Sequence, residues 1–188
     1  TIGLLPGSRT AEVDRLLPAM IEAAQIISKK IPGAQYILPL ADTLDEETVT
    51  TMVAKSGINV KIAPGQIYDV LACCDLALVT SGTATLETGL MGVPMIIVYK
   101  VSLFSEMIAR MIIRQQHIGL VNIIAGKTIA PELLQRDASG PRIASEALAI
   151  LLNDSKKQDV IAQLNDIRAK LGEPGAAGRA AQLACDML

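Results

Sequence analysis

Residues 80–99, TSGTATLETGLMGVPMIIVY, set the fold. Just before them, residues 75–79 (DLALV) form a short apolar run of the kind that makes a strand buried on both faces. At Thr80-Ser81-Gly82 the chain has to turn; residues 83–91 read as a helix stopped by Gly92, and Pro94 leads into a second apolar run at residues 95–99. The pattern is strand, small polar turn, helix, strand. Such a turn leaves the first backbone N–H groups of the helix, those of Thr83, Ala84 and Thr85, without intrahelical acceptors and gives the spot partial positive charge. An anion such as a phosphate suits it. Glu87 lies four residues past Thr83 on the same helix face, within reach of a neutral hydroxyl beside that anion. Serine and threonine at helix starts also act as plain caps, so this turn alone supports two readings.

The same pattern opens the chain. Residues 2–5 are a short apolar strand, Pro6-Gly7-Ser8-Arg9 a turn, and residues 11–30 a helix with Val13, Leu16, Leu17, Met20, Ala24 and Ile27 at helical spacing. Gly7 permits tight backbone geometry and Ser8 is the expected cap. The Arg9 guanidinium is either a solvated surface group or a grip on two phosphate oxygens at once. Beyond Pro32-Gly33, residues 35–40 (QYILPL) and 59–63 read as strands, residues 42–55 as a polar-rich helix and residues 67–73 as a short one. Strands and helices alternating at this length predict an α/β chain with a Rossmann-like, doubly wound parallel sheet and ligands at the carboxyl ends of its strands. Both Gly-Ser turns fall at such ends, where they can converge on one crevice.

Residues 101–114 carry Phe104, Met107, Ile108, Met111 and Ile112 on one helical face and Glu106, Arg110 and Arg114 on another. Between residues 100 and 136 there are five basic side chains against two acidic ones, so this helix either touches an anionic membrane or packs its apolar face in the core. In residues 120–135, LVNIIAGKTIAPELLQ, Asn122, Gly126 and Pro131 interrupt an apolar run. Asn122 reads an amide or hydroxyl, or is a turn residue; Glu132 starts a short helix after Pro131. Residues 141–152 and 158–171 are helices, the second with a stripe of Val160, Ile161, Leu164, Ile167 and Leu171. Gly172, Pro174, Gly175 and Gly178 loosen the chain before an alanine-rich helix at residues 179–188. Residues 1–152 are thus expected to be the Rossmann-like domain and 153–188 a helical appendage, whose alanine-rich end packs on the domain, on a partner domain or on a second subunit.

The 188 residues, 51% apolar and 19% charged, suffice for one sizeable core. One Phe, three Tyr and no Trp leave no stacking platform for bases, and a net charge of -2 gives no global field for nucleic acid. Cys73, Cys74 and Cys185, with the single His117, match neither a zinc spacing nor a disulfide framework. They are expected to be small core residues of a reduced, cytoplasmic protein, and no metal is expected. No run reaches the length of a membrane span. The start lacks signal-peptide order and reads as a strand already under way, so the chain is expected to be the later part of something longer.

Three motifs, LLPGSRTAEV (4–13), TSGTATLETGLMGVPMIIVYK (80–100) and LVNIIAGKTIAPELLQ (120–135), in this order and separation, resemble the second half of the lipid-A-disaccharide synthases. The resemblance runs through nearly the whole chain and rests most on the third motif; Val121, where a proline is expected, and residues 88–91 depart from it. The first two motifs also resemble UDP-N-acetylglucosamine 2-epimerases and the peptidoglycan glycosyltransferase that uses UDP-N-acetylglucosamine. A 2-epimerase-like or peptidoglycan-type UDP-sugar domain, or a non-catalytic binding module, is therefore the alternative.

The resemblance implies one half of a GT-B fold that binds UDP and a UDP-diacylglucosamine donor, with no cofactor or metal. It implies transfer of the diacylglucosamine to the 6-hydroxyl of 2,3-diacylglucosamine 1-phosphate, at the inner face of the bacterial inner membrane. The acceptor site and the base belong to a first domain not in this chain, so this chain alone is expected to bind donor or UDP weakly and not to turn over. By resemblance, Gly7, Ser8, Arg9, Ser81, Gly82, Thr83 and Thr85 hold the pyrophosphate and Glu87 the ribose. Tyr99 lies near the donor crevice, and Asn122, Glu132 and Gln135 line its sugar side, with Arg9 and Asn122 as leaving-group or sugar-side helpers.

Overall fold

The computed structural model describes residues 1–100, 117–172 and 175–187. Two strands, Ile2–Leu5 (β1) and Leu76–Thr80 (β4), are buried at every residue, as their unbroken apolar runs demand of strands covered on both faces. They lie side by side at the centre of a six-stranded sheet, all parallel, in the order β3-β2-β1-β4-β5-β6. The others are Tyr36–Leu40 (β2), Val60–Pro64 (β3), Met95–Tyr99 (β5) and Glu132–Leu134 (β6). The described helices are Thr10–Lys30 (α1), Glu46–Ala54 (α2), Ile67–Ala72 (α3), Thr83–Leu90 (α4), Leu120–Ala125 (α5), Gly140–Leu151 (α6), Asp154–Leu171 (α7) and Ala176–Asp186 (α8).

Because successive strand residues point to opposite faces, β4 feeds two cores. Leu76 and Leu78 pack with Leu17, Met20 and Ile27 of α1 and Ile143 of α6, while Ala77 and Val79 pack with Leu71, Val121 and the α7 residues Val160, Leu164 and Ile167. The predicted doubly wound sheet is therefore present, with corrections at its margins. Residues 154–171 are not an appendage: the apolar stripe of α7 closes the second core, and among the described helices only α8 buries nothing. Helix α2 starts four residues later than the acidic cluster implied, because Asp45 caps it by accepting the Thr48 N–H at 2.8 Å.

Glu132 opens a strand, not a helix, because the open edge of β5 offers hydrogen bonds: the Ile97 N–H donates to Pro131 O (2.9 Å) and the Gln135 N–H to Tyr99 O (2.8 Å). The cysteines are not core residues either. Cys73 and Cys185 are exposed and Cys74 is half-buried, since the short α3 ends at Cys73 and α8 is uncovered. The predicted amphipathic helix at 101–114, and Pro174, lie outside the described residues. No described helix is long and apolar enough to cross a membrane.

Candidate functional site

Between β1 and β4 the strand order reverses, so the connections leaving their carboxyl ends diverge and open a crevice. A cavity of about 650 Å³ lies there, within the range that holds small-molecule ligands. The first turn lines it with Gly7, Ser8, Arg9 and Glu12, the second with Thr80 to Ala84 and Glu87. Residues 39–42, at and just beyond the end of β2, and 65–67, after β3, line it as well. The two turns that sequence placed at equivalent strand ends thus share one cavity.

Each turn needs its glycine. Gly7 has φ +116, and a Cβ there would overlap Glu12 Oε2, which folds back over the turn. Gly82, the residue preceding α4, has φ +152 with nothing within 4 Å of the Cβ position, so only backbone conformation restricts it. The serines do not act as caps. Arg9, not Ser8, is the N-cap of α1 and makes no side-chain cap bond, because α1 begins at Thr10, two residues past Ser8. The Ser81 hydroxyl donates to Ile118 O at 3.0 Å instead of to its own helix. Plain capping therefore does not account for either turn.

Helix α4 presents two of the three N–H groups expected of it. The Thr85 N–H donates to Gly82 O at 3.2 Å, and the Thr85 side chain is fully buried, its hydroxyl donating to Gly82 O (2.8 Å) and accepting the Leu120 N–H (3.2 Å). Thr85 is thus corrected from a ligand contact to a residue beneath the turn, because it faces the helix interior. The N–H groups of Thr83 and Ala84 remain at the cavity wall, at the positive end of the α4 dipole. Glu87 lines the cavity, half-exposed, one turn further on. Arg9 is 81% exposed, and its Nη1 donates to Glu12 Oε1 at 2.9 Å, so its guanidinium sits at the mouth.

The four remaining predicted residues do not line this cavity. Asn122 is fully buried and uses all four of its hydrogen-bonding positions within the chain. Its Nδ2 donates to Ala130 O (2.7 Å) and Glu132 Oε1 (2.8 Å), and its Oδ1 accepts the N–H groups of Ile129 (2.8 Å) and Ala130 (3.0 Å). The Glu132 side chain, 10% exposed, accepts the N–H groups of Ile118 (2.9 Å) and Gly119 (3.1 Å) as well, with His117 Nδ1 3.9 Å away. Tyr99 ends β5 beside Leu134, the last residue of β6, and its carbonyl accepts the N–H of Gln135, which follows β6. The expectation that Asn122 and Glu132 wall a sugar is thus corrected: each is turned inward, where buried polar groups are satisfied by backbone.

Glu12, Asp42 and Gln66 line the cavity and were not anticipated. Glu12 lies in the first motif three residues past Arg9, a spacing that puts both on one helix face. Asp42 and Gln66 follow β2 and β3, so the rule of carboxyl strand ends was the signal available for them. The Thr80 hydroxyl, buried at the end of β4, has no hydrogen-bond partner among the described residues. Also among those residues, no group of three or more His, Cys, Asp or Glu side chains is placed to hold a metal ion.

A family model described as lipid-A-disaccharide synthetase matches residues 1–185. The chain is 50% identical over 189 residues to the lipid-A-disaccharide synthase of Syntrophus aciditrophicus (strain SB), covering 100% of this chain and 49% of that protein. To the lipid-A-disaccharide synthase of Nitrosococcus oceani it is 45% identical, covering 100% and 48%. It spans about half the length of the curated relatives it matches. Among solved structures, the catalytic domain of cholesterol-alpha-glucosyltransferase from Helicobacter pylori superposes with TM-score 0.59 at 12% identity, over 89% of this chain and 97% of that one. UDP-GlcNAc 2-epimerase from Neisseria meningitidis, bound to UDP-GlcNAc, gives 0.54 at 14% identity, over 91% and 44%. At such identities the likeness is one of fold.

Proposed function

The chain belongs to the lipid-A-disaccharide synthetase family, and from that premise we propose that it is the half of a GT-B glycosyltransferase that holds the UDP-sugar donor. The observation that carries the reading is the convergence of two glycine turns, each opening a helix, on one cavity at the strand-order reversal. The pyrophosphate of the donor sits between the Gly7 turn and the start of α4, receiving the N–H groups of Thr83 and Ala84. Arg9 exchanges Glu12 for phosphate oxygens, and Glu87 accepts ribose hydroxyls.

The reaction is transfer of a diacylated glucosamine from UDP to the 6-hydroxyl of 2,3-diacylglucosamine 1-phosphate, giving the lipid A disaccharide phosphate and UDP. As the bond to UDP breaks, the anomeric carbon gains oxocarbenium character and negative charge moves onto the pyrophosphate. Fixed donors already aimed at that charge stabilise it without reorganising, so the helix starts and Arg9 favour departure of UDP. The acceptor site and the base come from the other half of such an enzyme, and this chain alone binds UDP without turnover. Acyl chains on both substrates make the cytoplasmic membrane face the natural place for the reaction.

Thermal unfolding with UDP tests the proposal. UDP at millimolar concentration raises the Tm of this chain, UMP raises it less, and Arg9→Ala weakens UDP binding by about 10–100-fold, the range for losing a charge-assisted hydrogen-bond pair. A folded chain with no shift at 5–10 times that concentration, about 10 mM on the millimolar scale of weak ligands, refutes it.

A further inference from the structure

Three side chains outside the cavity lining, two fully buried and Glu132 nearly so, nevertheless converge on one of its turns. The Glu132 carboxylate accepts the N–H groups of Ile118 and Gly119, and Asn122 Nδ2 holds that carboxylate from behind at 2.8 Å. The segment so fixed reaches the Ser81-Gly82 turn twice: Ile118 O accepts the Ser81 hydroxyl at 3.0 Å, and the Leu120 N–H donates to Thr85 Oγ1. That same Thr85 hydroxyl donates to Gly82 O at 2.8 Å. A continuous set of hydrogen bonds thus runs from the edge strand β6, through residues 118–120, to both residues of the turn that opens α4. Thr85 and Asn122 are fully buried and the rest of the set is partly so, which keeps much of the water away from these bonds and makes their loss costly.

We propose that Glu132, Asn122 and Thr85 are positioning residues for anion binding: they hold residues 118–120 as a strut that keeps the Ser81-Gly82 turn open and its helix N–H groups aimed into the cavity. The inference rests on the donor-domain reading and names its ligand class, a nucleoside diphosphate held by backbone donors. None of the three touches the ligand. A turn with a glycine at φ +152 and no covering side chain has little of its own to hold it in shape, so the strut sets its geometry. Glu132→Gln breaks the strut with little change of volume, because the amide nitrogen replaces an acceptor opposite an N–H donor. Thr85→Val does so from the other end, deleting both bonds of the hydroxyl.

The test is calorimetric titration of UDP into this chain, the two variants, Ser81→Ala, and the doubles Glu132→Gln/Ser81→Ala and Thr85→Val/Ser81→Ala. It is run at a temperature where circular dichroism shows each protein folded. Glu132→Gln and Thr85→Val each weaken UDP binding by about 5–30-fold, and each double is within about twofold of its weaker single, because all act through one chain of contacts. A lower Tm with an unchanged Kd for UDP makes the cluster structural only and overturns the inference; so do effects that multiply in the doubles. If Glu132→Gln does not fold, the Thr85→Val cycle decides alone. Failure of the unaltered chain to bind UDP overturns the donor-domain reading and this inference together, whereas unaltered affinity in the variants overturns only this one.

Discussion

Replacing Asn122 by alanine removes a fully buried side chain whose four hydrogen-bonding positions are all used by the chain itself. The N–H groups of Ile129 and Ala130 and the carbonyl of Ala130 lose their partners, and Glu132 loses one of its donors. Each net hydrogen bond is worth about 1 kcal/mol, rising to about 1–3 kcal/mol where a buried group is left unsatisfied. Water entering the vacated space satisfies part of that set, which places the total at about 3–5 kcal/mol, at the upper end for single substitutions. For a domain of this size that lowers Tm by about 6–20 °C, readable by circular dichroism or calorimetry. Asn122→Asp sharpens the result. Its Oδ1 keeps the two N–H donors, but the new oxygen faces Ala130 O and the Glu132 carboxylate. The charged form is disfavoured in the fold, so the folded pKa of the new carboxyl lies above its unfolded value. Stability is then near normal below the unfolded value and falls as pH rises through the folded one. An Asn122→Ala variant within about 1 kcal/mol of the unaltered chain, the scale of a surface change, refutes the claim that this side chain ties β6 to α5.

Other tests address single features. Gly7→Ala is expected to lose about 1–3 kcal/mol, through positive φ and the overlap with Glu12, and to abolish the UDP shift. Gly33→Ala, at an open position, stays within about 0.5 kcal/mol, and equal losses in the two variants count against the turn geometry. Burial pushes the Cys74 thiol up to about 11, so at pH 8 a thiol reagent labels exposed Cys73 and Cys185 quickly and Cys74 only on unfolding; three fast thiols contradict this. The hydrogen bond from Lys157 Nζ at 2.8 Å is the chief cause that holds the Asp75 carboxyl down at about 2. The folded value lies below the unfolded one, so this stabilisation is complete above about pH 4 and disappears as pH falls to about 2. Because Asp75 is half-exposed, Lys157→Met costs less than about 1 kcal/mol at neutral pH, and in urea unfolding the deficit vanishes near pH 2.

Much of this molecule is written in local sequence. Apolar runs of five residues, such as residues 76–80 and 95–99, make strands covered on both faces, and their alternation with helices leaves a parallel sheet as the arrangement that buries them all. The Gly-Ser turns were legible for the same reason: a glycine between a buried strand and a helix marks a strand end, where the fold places ligands. The motifs were sufficient to identify the family. The register of α2 and the strand at Glu132 were not legible, since a capping oxygen and an open sheet edge decided them, and neither shows in periodicity.

Which polar residues face the cavity was decided only by the tertiary structure. Arg9, Glu87, Asn122 and Glu132 look alike in sequence, as polar residues beside glycines and apolar runs. Arg9 and Glu87 line the cavity because the strand-order reversal leaves space above their helix starts. Asn122 and Glu132 turn inward because residues 117–120 and 129–130 bring backbone groups into the interior that have no secondary-structure partner, and a buried N–H or carbonyl must be paired. Sequence fixes which groups can bond to a neighbour; which neighbour they meet depends on segments far away in the chain, and only packing brings those together.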